Sequence, residues 1–120
     1  MDKNTTLEEL KTKVKDFCEQ RDWSKFHNPK DLAIGISTEA NELLQIFRFK
    51  SEKDMQELMS GERKIEVEEE LADVLYFVLR FAQMNNIDLS TAVEDKINKN
   101  NKKYPSDKVK GCNKKYSEYK

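Results

Sequence analysis

From Arg63 to Asn85 the sequence runs without a glycine or proline, and Leu71, Val74, Leu75, Val78, Leu79 and Ala82 recur at the three- and four-residue spacing of a helix. A helix of that length is stable only when other elements cover its apolar stripe. The segment therefore predicts an all-α fold with itself as the central helix. Three glycines, two prolines and 38% charged residues against 37% hydrophobic ones fit helices with solvated outer faces, and disfavour a sandwich or barrel.

The neighbouring segments supply the partners. Thr6-Leu7-Glu8-Glu9 has capping-box spacing, and Leu7, Leu10, Val14, Phe17 and Cys18 continue a first helix to about Arg21. The stretch from Asp22 to His27 is aromatic and lacks a helical period. Asn28 can then cap, and Pro29 can open, a second helix running to Phe49. Ser51 can cap a short helix holding Met55, Leu58 and Met59, with Gly61 as a left-handed terminus. Ser90 can cap a fifth, through Ala92, Val93 and Ile97, which Tyr104-Pro105 stops. The expectation is a four- to five-helix bundle forming one domain over residues 1–107, with a lysine-rich, flexible tail over 108–120.

Several classes of protein fall away. No apolar run approaches the roughly 18 residues of a membrane span, and Met1-Asp2-Lys3-Asn4 begins no signal peptide, so a cytoplasmic protein without a membrane partner is expected. Cys18 and Cys112 make neither a disulfide framework nor a zinc motif. A net charge of −1 and the absence of a recognised motif argue against nucleic acid as partner. The charge is uneven, however: Glu66, Glu68, Glu69, Glu70 and Asp73 cluster mid-chain, while Lys96 to Lys120 carries nine lysines. One region suits cations and the other phosphates.

Four carboxylates stand where a simple bundle has no use for them. At about 100° per residue, the second helix gathers Leu32, Ala33, Ile36, Ala40, Leu43, Leu44, Ile46 and Phe47 on one arc, with Glu39 inside it and Glu42 at its margin. The central helix gathers Val67, Leu71, Val74, Leu75, Val78 and Phe81, with Glu70 inside and Glu66 and Asp73 at the edge. A half-buried carboxylate is unfavourable without a compensating cation or donor, and like charges at i,i+3 add repulsion. Oxygen ligands without His or Cys suit Mg²⁺, with Mn²⁺ as a substitute, and such an ion shares its remaining positions with substrate phosphates. The alternative is that these are ordinary edge charges in a non-catalytic helical interaction or regulatory module. A di-iron bundle is disfavoured because it wants Glu-x-x-His, and His27 is the sole histidine and lies outside both motifs.

The pair Glu39-Ala40-Asn41-Glu42 and Glu70-Leu71-Ala72-Asp73 resembles the ExxE and ExxD motifs of the MazG-like all-α NTP pyrophosphatases. Arg21-Asp22-Trp23, Phe26-His27-Asn28-Pro29, Glu69 through Tyr76, and Lys96 to Pro105 look like the dCTP pyrophosphatase subgroup of that family. Two positions depart from it: Phe49 stands where the subgroup has a tryptophan, keeping the ring without the indole donor, and Asn41 stands where the family has glycine.

By that resemblance Glu39, Glu42, Glu70 and Asp73 are the metal-binding, catalytic residues. Lys96, Asn100, Lys103 and Tyr104 contact the phosphates, and Trp23, His27, Phe49 and Tyr76 contact the base. The implied reaction converts a nucleoside triphosphate, dCTP or a modified dCTP foremost, to the monophosphate and pyrophosphate, as nucleotide-pool house-cleaning. A homodimer or homotetramer is implied as well, in which protomers complete each other's helical core.

Overall fold

The computed structural model describes residues Met1–Asn113. Its described residues are all helical apart from turns: α1 (Leu7–Gln20), a 3₁₀ turn (Ser24–Phe26), α2 (Pro29–Phe47), α3 (Glu52–Ser60), α4 (Lys64–Met84), α5 (Leu89–Lys103) and the short α6 (Ser106–Val109). The chain divides into two compact units, Met1–Asn86 and the part from Ile87 onward. The first holds α1 to α4 and the second α5 and α6. Of the lysine-rich tail expected from residue 108, the part from 114 on lies outside the described residues. No described helix is long and apolar enough to cross a membrane.

In the first unit α4 is the hub, packed against α1, α2 and α3. The buried apolar side chains are Cys18 from α1, Leu32 from α2, Leu58 from α3, and Val67, Leu79 and Ala82 from α4. Burying a leucine of this kind contributes about 1.5–3 kcal/mol. Helix α2 comes close to α4 at Gly35, where an added Cβ would lie 2.6 Å from the Phe77 ring. The apolar arc of α4 is wider than the layer that covers it. Leu71 and Leu75, expected in the core, are 57% and 42% exposed, because α1 to α3 cover the side that carries Val67, Leu79 and Ala82.

Helix starts follow side-chain chemistry. Thr6 and Glu9 form a reciprocal capping box on α1, and Ser51 and Asp54 do the same for α3. Asn28 Oδ1 accepts from the Asp31 N–H at 2.8 Å ahead of Pro29. Three expectations need correction. Helix α2 stops at Phe47, not Phe49: Arg48 turns extended (ψ 132°) and Phe49 takes a left-handed φ of 65°, which reverses the chain toward the Ser51 cap. Gly61 is extended (φ −106°, ψ −170°), not left-handed. Its lack of a side chain matters sterically, since a Cβ there would come within 3.1 Å of the Glu57 carbonyl oxygen. Helix α5 is capped by Asp88, whose Oδ1 accepts from the Thr91 N–H at 2.9 Å, so Ser90 falls inside the first turn.

Candidate active site

Where α2 and α4 face each other, one carboxylate oxygen from each of Glu39, Glu70 and Asp73 lies within 4.8 Å of the others. Glu39 and Glu70 are half-buried and Asp73 is exposed. Glu39 Oε2 and Glu70 Oε2 are fully buried and accept no hydrogen bond. Burial holds the Glu39 carboxyl above the ordinary glutamate range, with the charges of Glu42 and Asp73 adding to the effect. Burial does the same to Glu70, reinforced by Glu42, Asp73 and Glu39. Glu42 is exposed and outside the 4.8 Å cluster, and it acts on the pair both through its charge and as a side-chain hydrogen-bonding neighbour.

Two buried acceptors without donors, beside further carboxylates, are an arrangement that protein groups alone leave uncompensated. The donor set is all oxygen, anionic and drawn from two helices, which fits a hard divalent cation. Glu39, Glu70 and Asp73 would hold it, with Glu42 within its field.

A cleft of about 480 Å³ adjoins this cluster through Asp73 and is lined by Lys13, Val14 and Phe17 of α1, Trp23, and Tyr76 and Phe77 of α4. Its walls are mainly aromatic. Phe17 meets Trp23 and Tyr76 edge-on, at centroid distances of 5.7 and 6.1 Å, and Tyr76 meets Phe77 at 5.1 Å. The Tyr76 hydroxyl lies 3.1 Å from the buried Cys18 Sγ. Burial, first, and that thiol, second, keep the phenol protonated well above its usual range.

Trp23 reaches the cleft because α1 ends in a Schellman turn. The Trp23 N–H bonds the Cys18 carbonyl and the Asp22 N–H that of Glu19, with Asp22 left-handed at φ 53°. An aspartate tolerates that conformation better than most residues. His27 is not a lining residue of the cleft, and its ring stands edge-on to that of Trp23 at a centroid distance of 6.5 Å. Burial lowers the pKa of His27, and the nearby Arg80 charge lowers it further.

The structure thus brings together three of the four expected metal ligands, sets Glu42 beside them, and seats Trp23 and Tyr76 in the cleft that Asp73 borders. Phe49 stands apart: it is 91% exposed, covered on one face by the Arg48 guanidinium at 4.7 Å, and is not a lining residue of that cleft. Lys96, Asn100, Lys103 and Tyr104 belong to the second unit, running from the middle of α5 to its C-cap, where the Tyr104 N–H bonds the Asn100 carbonyl. Lys13, Val14, Phe17 and Phe77 were not singled out from the sequence. In α1 the apolar spacing of Val14 and Phe17 reads simply as core.

Fold and site together define an all-α protein with a carboxylate cluster in the seam between two helices and an aromatic cleft beside it. Residues 34–119 match the model of the MazG-like family, and the chain belongs to that family. It is 31% identical over 114 residues to human dCTP pyrophosphatase 1, covering 94% of this chain and 67% of that protein. The bovine dCTP pyrophosphatase 1 is 30% identical, with 94% and 68% covered. A crystal structure of a pyrophosphatase from Archaeoglobus fulgidus superposes with a TM-score of 0.77 at 43% identity, over 82% of this chain and 92% of that one.

Proposed function

We propose that this chain is a nucleoside triphosphate pyrophosphatase, that it depends on Mg²⁺, and that dCTP or a modified dCTP is its preferred substrate. The observation that carries the reading is the pair of buried, undonated oxygens on Glu39 and Glu70, next to Asp73 and at the edge of an aromatic cleft. The relatives named as pyrophosphatases support the reaction class, and those named for dCTP support the base.

The chain's own residues divide the work. Glu39, Glu42, Glu70 and Asp73 concentrate negative charge at one point and would fix the metal there. When bound, the cation would neutralise phosphate charge and favour attack by water between the α and β phosphates. The aromatic walls at Phe17, Trp23 and Tyr76 offer a nucleobase flat apolar surfaces and exclude water from its faces. Lys13, at the same cleft, offers a cation within reach of a bound anion. We assign the phosphate-binding role of Lys96, Asn100, Lys103 and Tyr104, and the base-binding roles of His27 and Phe49, on the family pattern alone.

Leu44, Leu71 and Leu75 face outward on α2 and α4, and on this basis we infer a homodimer or homotetramer, which sedimentation equilibrium tests. The cellular setting we propose is nucleotide-pool house-cleaning in the cytoplasm. The deciding assay incubates the protein with each common dNTP and NTP, with and without Mg²⁺ or Mn²⁺, and measures monophosphate, pyrophosphate and inorganic phosphate separately. Monophosphate with pyrophosphate, greatest for dCTP, is expected. Absence of turnover with every nucleotide and both metals would leave a non-catalytic helical module as the better reading.

A further inference from the structure

Arg80 is the bulkiest fully buried side chain among the described residues, 1% exposed in the last third of α4. A buried guanidinium ordinarily pairs with a carboxylate, but no carboxylate bridges this one among the described residues. Its partners are neutral. Arg80 Nε donates to His27 Nδ1 at 3.0 Å, one terminal nitrogen donates to Ser24 Oγ at 2.9 Å and the other to Gln83 Oε1 at 2.6 Å. Two of the three bonds reach the 3₁₀ turn more than fifty residues earlier, on either side of Lys25 and Phe26.

That turn carries one wall of the cleft. Trp23 immediately precedes Ser24, and its ring abuts the ring of His27. The Schellman turn at Asp22 fixes the Trp23 backbone from the α1 side, and the guanidinium fixes the next residues from the α4 side. On α4, Asp73, Tyr76, Phe77 and Arg80 follow at helical spacing, so the helix that carries a metal ligand also carries the opposite cleft wall and the anchor.

We propose that Arg80 is a positioning residue for the nucleotide: by gripping Ser24 and His27 it holds Trp23 as a rigid wall of the cleft beside the Glu39–Glu70–Asp73 cluster. The same bond fixes the imidazole. With Nδ1 accepting from Arg80, neutral His27 carries its proton on Nε2. Protonating Nδ1 would set two donors and two positive charges against each other, in keeping with the lowered pKa of this histidine. Arg80 does not itself touch the cleft, so it acts on how tightly a base is held and not on the chemistry at the carboxylates.

This assignment rests on the cleft being the nucleotide site, and the tests separate the two. Trp23 is the single tryptophan, so its fluorescence reports the wall directly in ligand-free protein. In Arg80→Lys, which keeps the charge and loses the fork, acrylamide quenching of Trp23 should rise about twofold, and the ¹⁵N shifts of His27 should move away from a pure Nε2–H tautomer. KM for the preferred nucleotide should rise roughly tenfold, the loss expected from one charge-assisted hydrogen bond, with kcat within about twofold.

Leu58→Ala, in α3, serves as a control: it should lower Tm and leave KM, quenching and tautomer unchanged. Should Arg80→Lys not fold, Ser24→Ala removes one bond of the grip and should show the same pattern at about threefold in KM. A lowered Tm with unchanged quenching, tautomer and KM would overturn the proposal, as would a fall in kcat with KM unchanged. If no nucleotide is turned over, the pyrophosphatase reading fails, and quenching and tautomer still decide whether Arg80 holds the wall.

Discussion

The carboxylate cluster and the Arg80 network interrupt the same helix seven residues apart, one near the middle of α4 and one toward its end, and each places charge where α4 meets its neighbours. At Arg80 every bond is supplied from within the chain: a histidine nitrogen, a serine hydroxyl and a glutamine carbonyl oxygen receive the guanidinium. At Glu39 and Glu70 two buried oxygens receive nothing, and the nearest groups are other carboxylates. A charge that the fold satisfies is a fastener, whereas one left unsatisfied is an invitation to a ligand. The contrast predicts opposite responses to removing the charge at the two places.

The largest effect is expected from Glu70→Gln, which keeps the shape and removes the charge. Pyrophosphate release should fall by about 100-fold or more, as befits loss of a ligand that organises transition-state charge. The metal-free variant should melt no lower than the native chain, because the repulsion of the Glu70 carboxylate by Glu39, Glu42 and Asp73 is removed. Arg80→Met should do the reverse, lowering Tm by stranding the polar groups of His27, Ser24 and Gln83. Retained turnover in Glu70→Gln would break the assignment of the cluster.

Sequence patterning made the first of these places visible and hid the second. Glu39 and Glu70 violate a helical arc that is otherwise apolar, and a violation of periodicity can be seen in one dimension. Arg80 follows Leu79 and precedes Phe81 in an amphipathic helix, where an arginine reads as a solvated face residue. Its burial depends on His27 and Ser24, whose arrival beside it is a property of the α1–α2 connection. The same limit explains Leu71 and Leu75: periodicity tells which residues want cover, not how wide a layer the rest of the chain supplies. The cap of α5 lies two residues before the serine the spacing favours, because Asp88 and Ser90 are both competent caps and only geometry selects between them.

Metal should sharpen the comparison next. In native protein, Mg²⁺ at about a hundred times its Kd should raise Tm by something like 10 °C, through preferential binding to the folded state. The shift should vanish in Glu70→Gln and survive in Arg80→Lys. Calorimetry across a Mg²⁺ series measures it, and an equal shift in both variants would mean that the ion binds elsewhere.

Acidity probes the same cluster without metal. Glu39 and Glu70 have raised values in the folded chain, so folded protein holds protons that unfolded chain has released. The stability they contribute is complete below the ordinary glutamate value of about 4.3 and is lost as pH rises through the raised folded values. Metal-free native protein should therefore gain Tm between neutrality and about pH 5, relative to a Glu39→Gln/Glu70→Gln variant over the same range. Parallel melting curves would show that the buried oxygens are not strained by charge.

A steric change at the helix contact between the two places should be smaller. Gly35→Ala puts a methyl group 2.6 Å from the Phe77 ring, and either the helices part or the ring turns toward the cleft it lines. Overpacking of this kind costs about 1–3 kcal/mol. Melting should show that loss, with a modest rise in KM if the ring moves and none if the helices part.

The smallest effect, and the most discriminating for the space between the two places, is that of Tyr76→Phe. Tyr76 stands on α4 between Asp73 and Arg80, with its hydroxyl on Cys18 and its ring in the cleft. The hydroxyl stays protonated at neutral pH, and its thiol partner is a weak hydrogen-bonding group. Removing it should therefore lower stability by no more than about 1 kcal/mol and leave KM for dCTP within about twofold. A nucleotide contact made through the ring survives that substitution and is lost in Tyr76→Ala. A contact made through the oxygen is lost in both. Should Tyr76→Phe raise KM tenfold while Tm holds, the hydroxyl faces substrate in the working enzyme, and the Cys18 contact is an arrangement of the ligand-free chain alone.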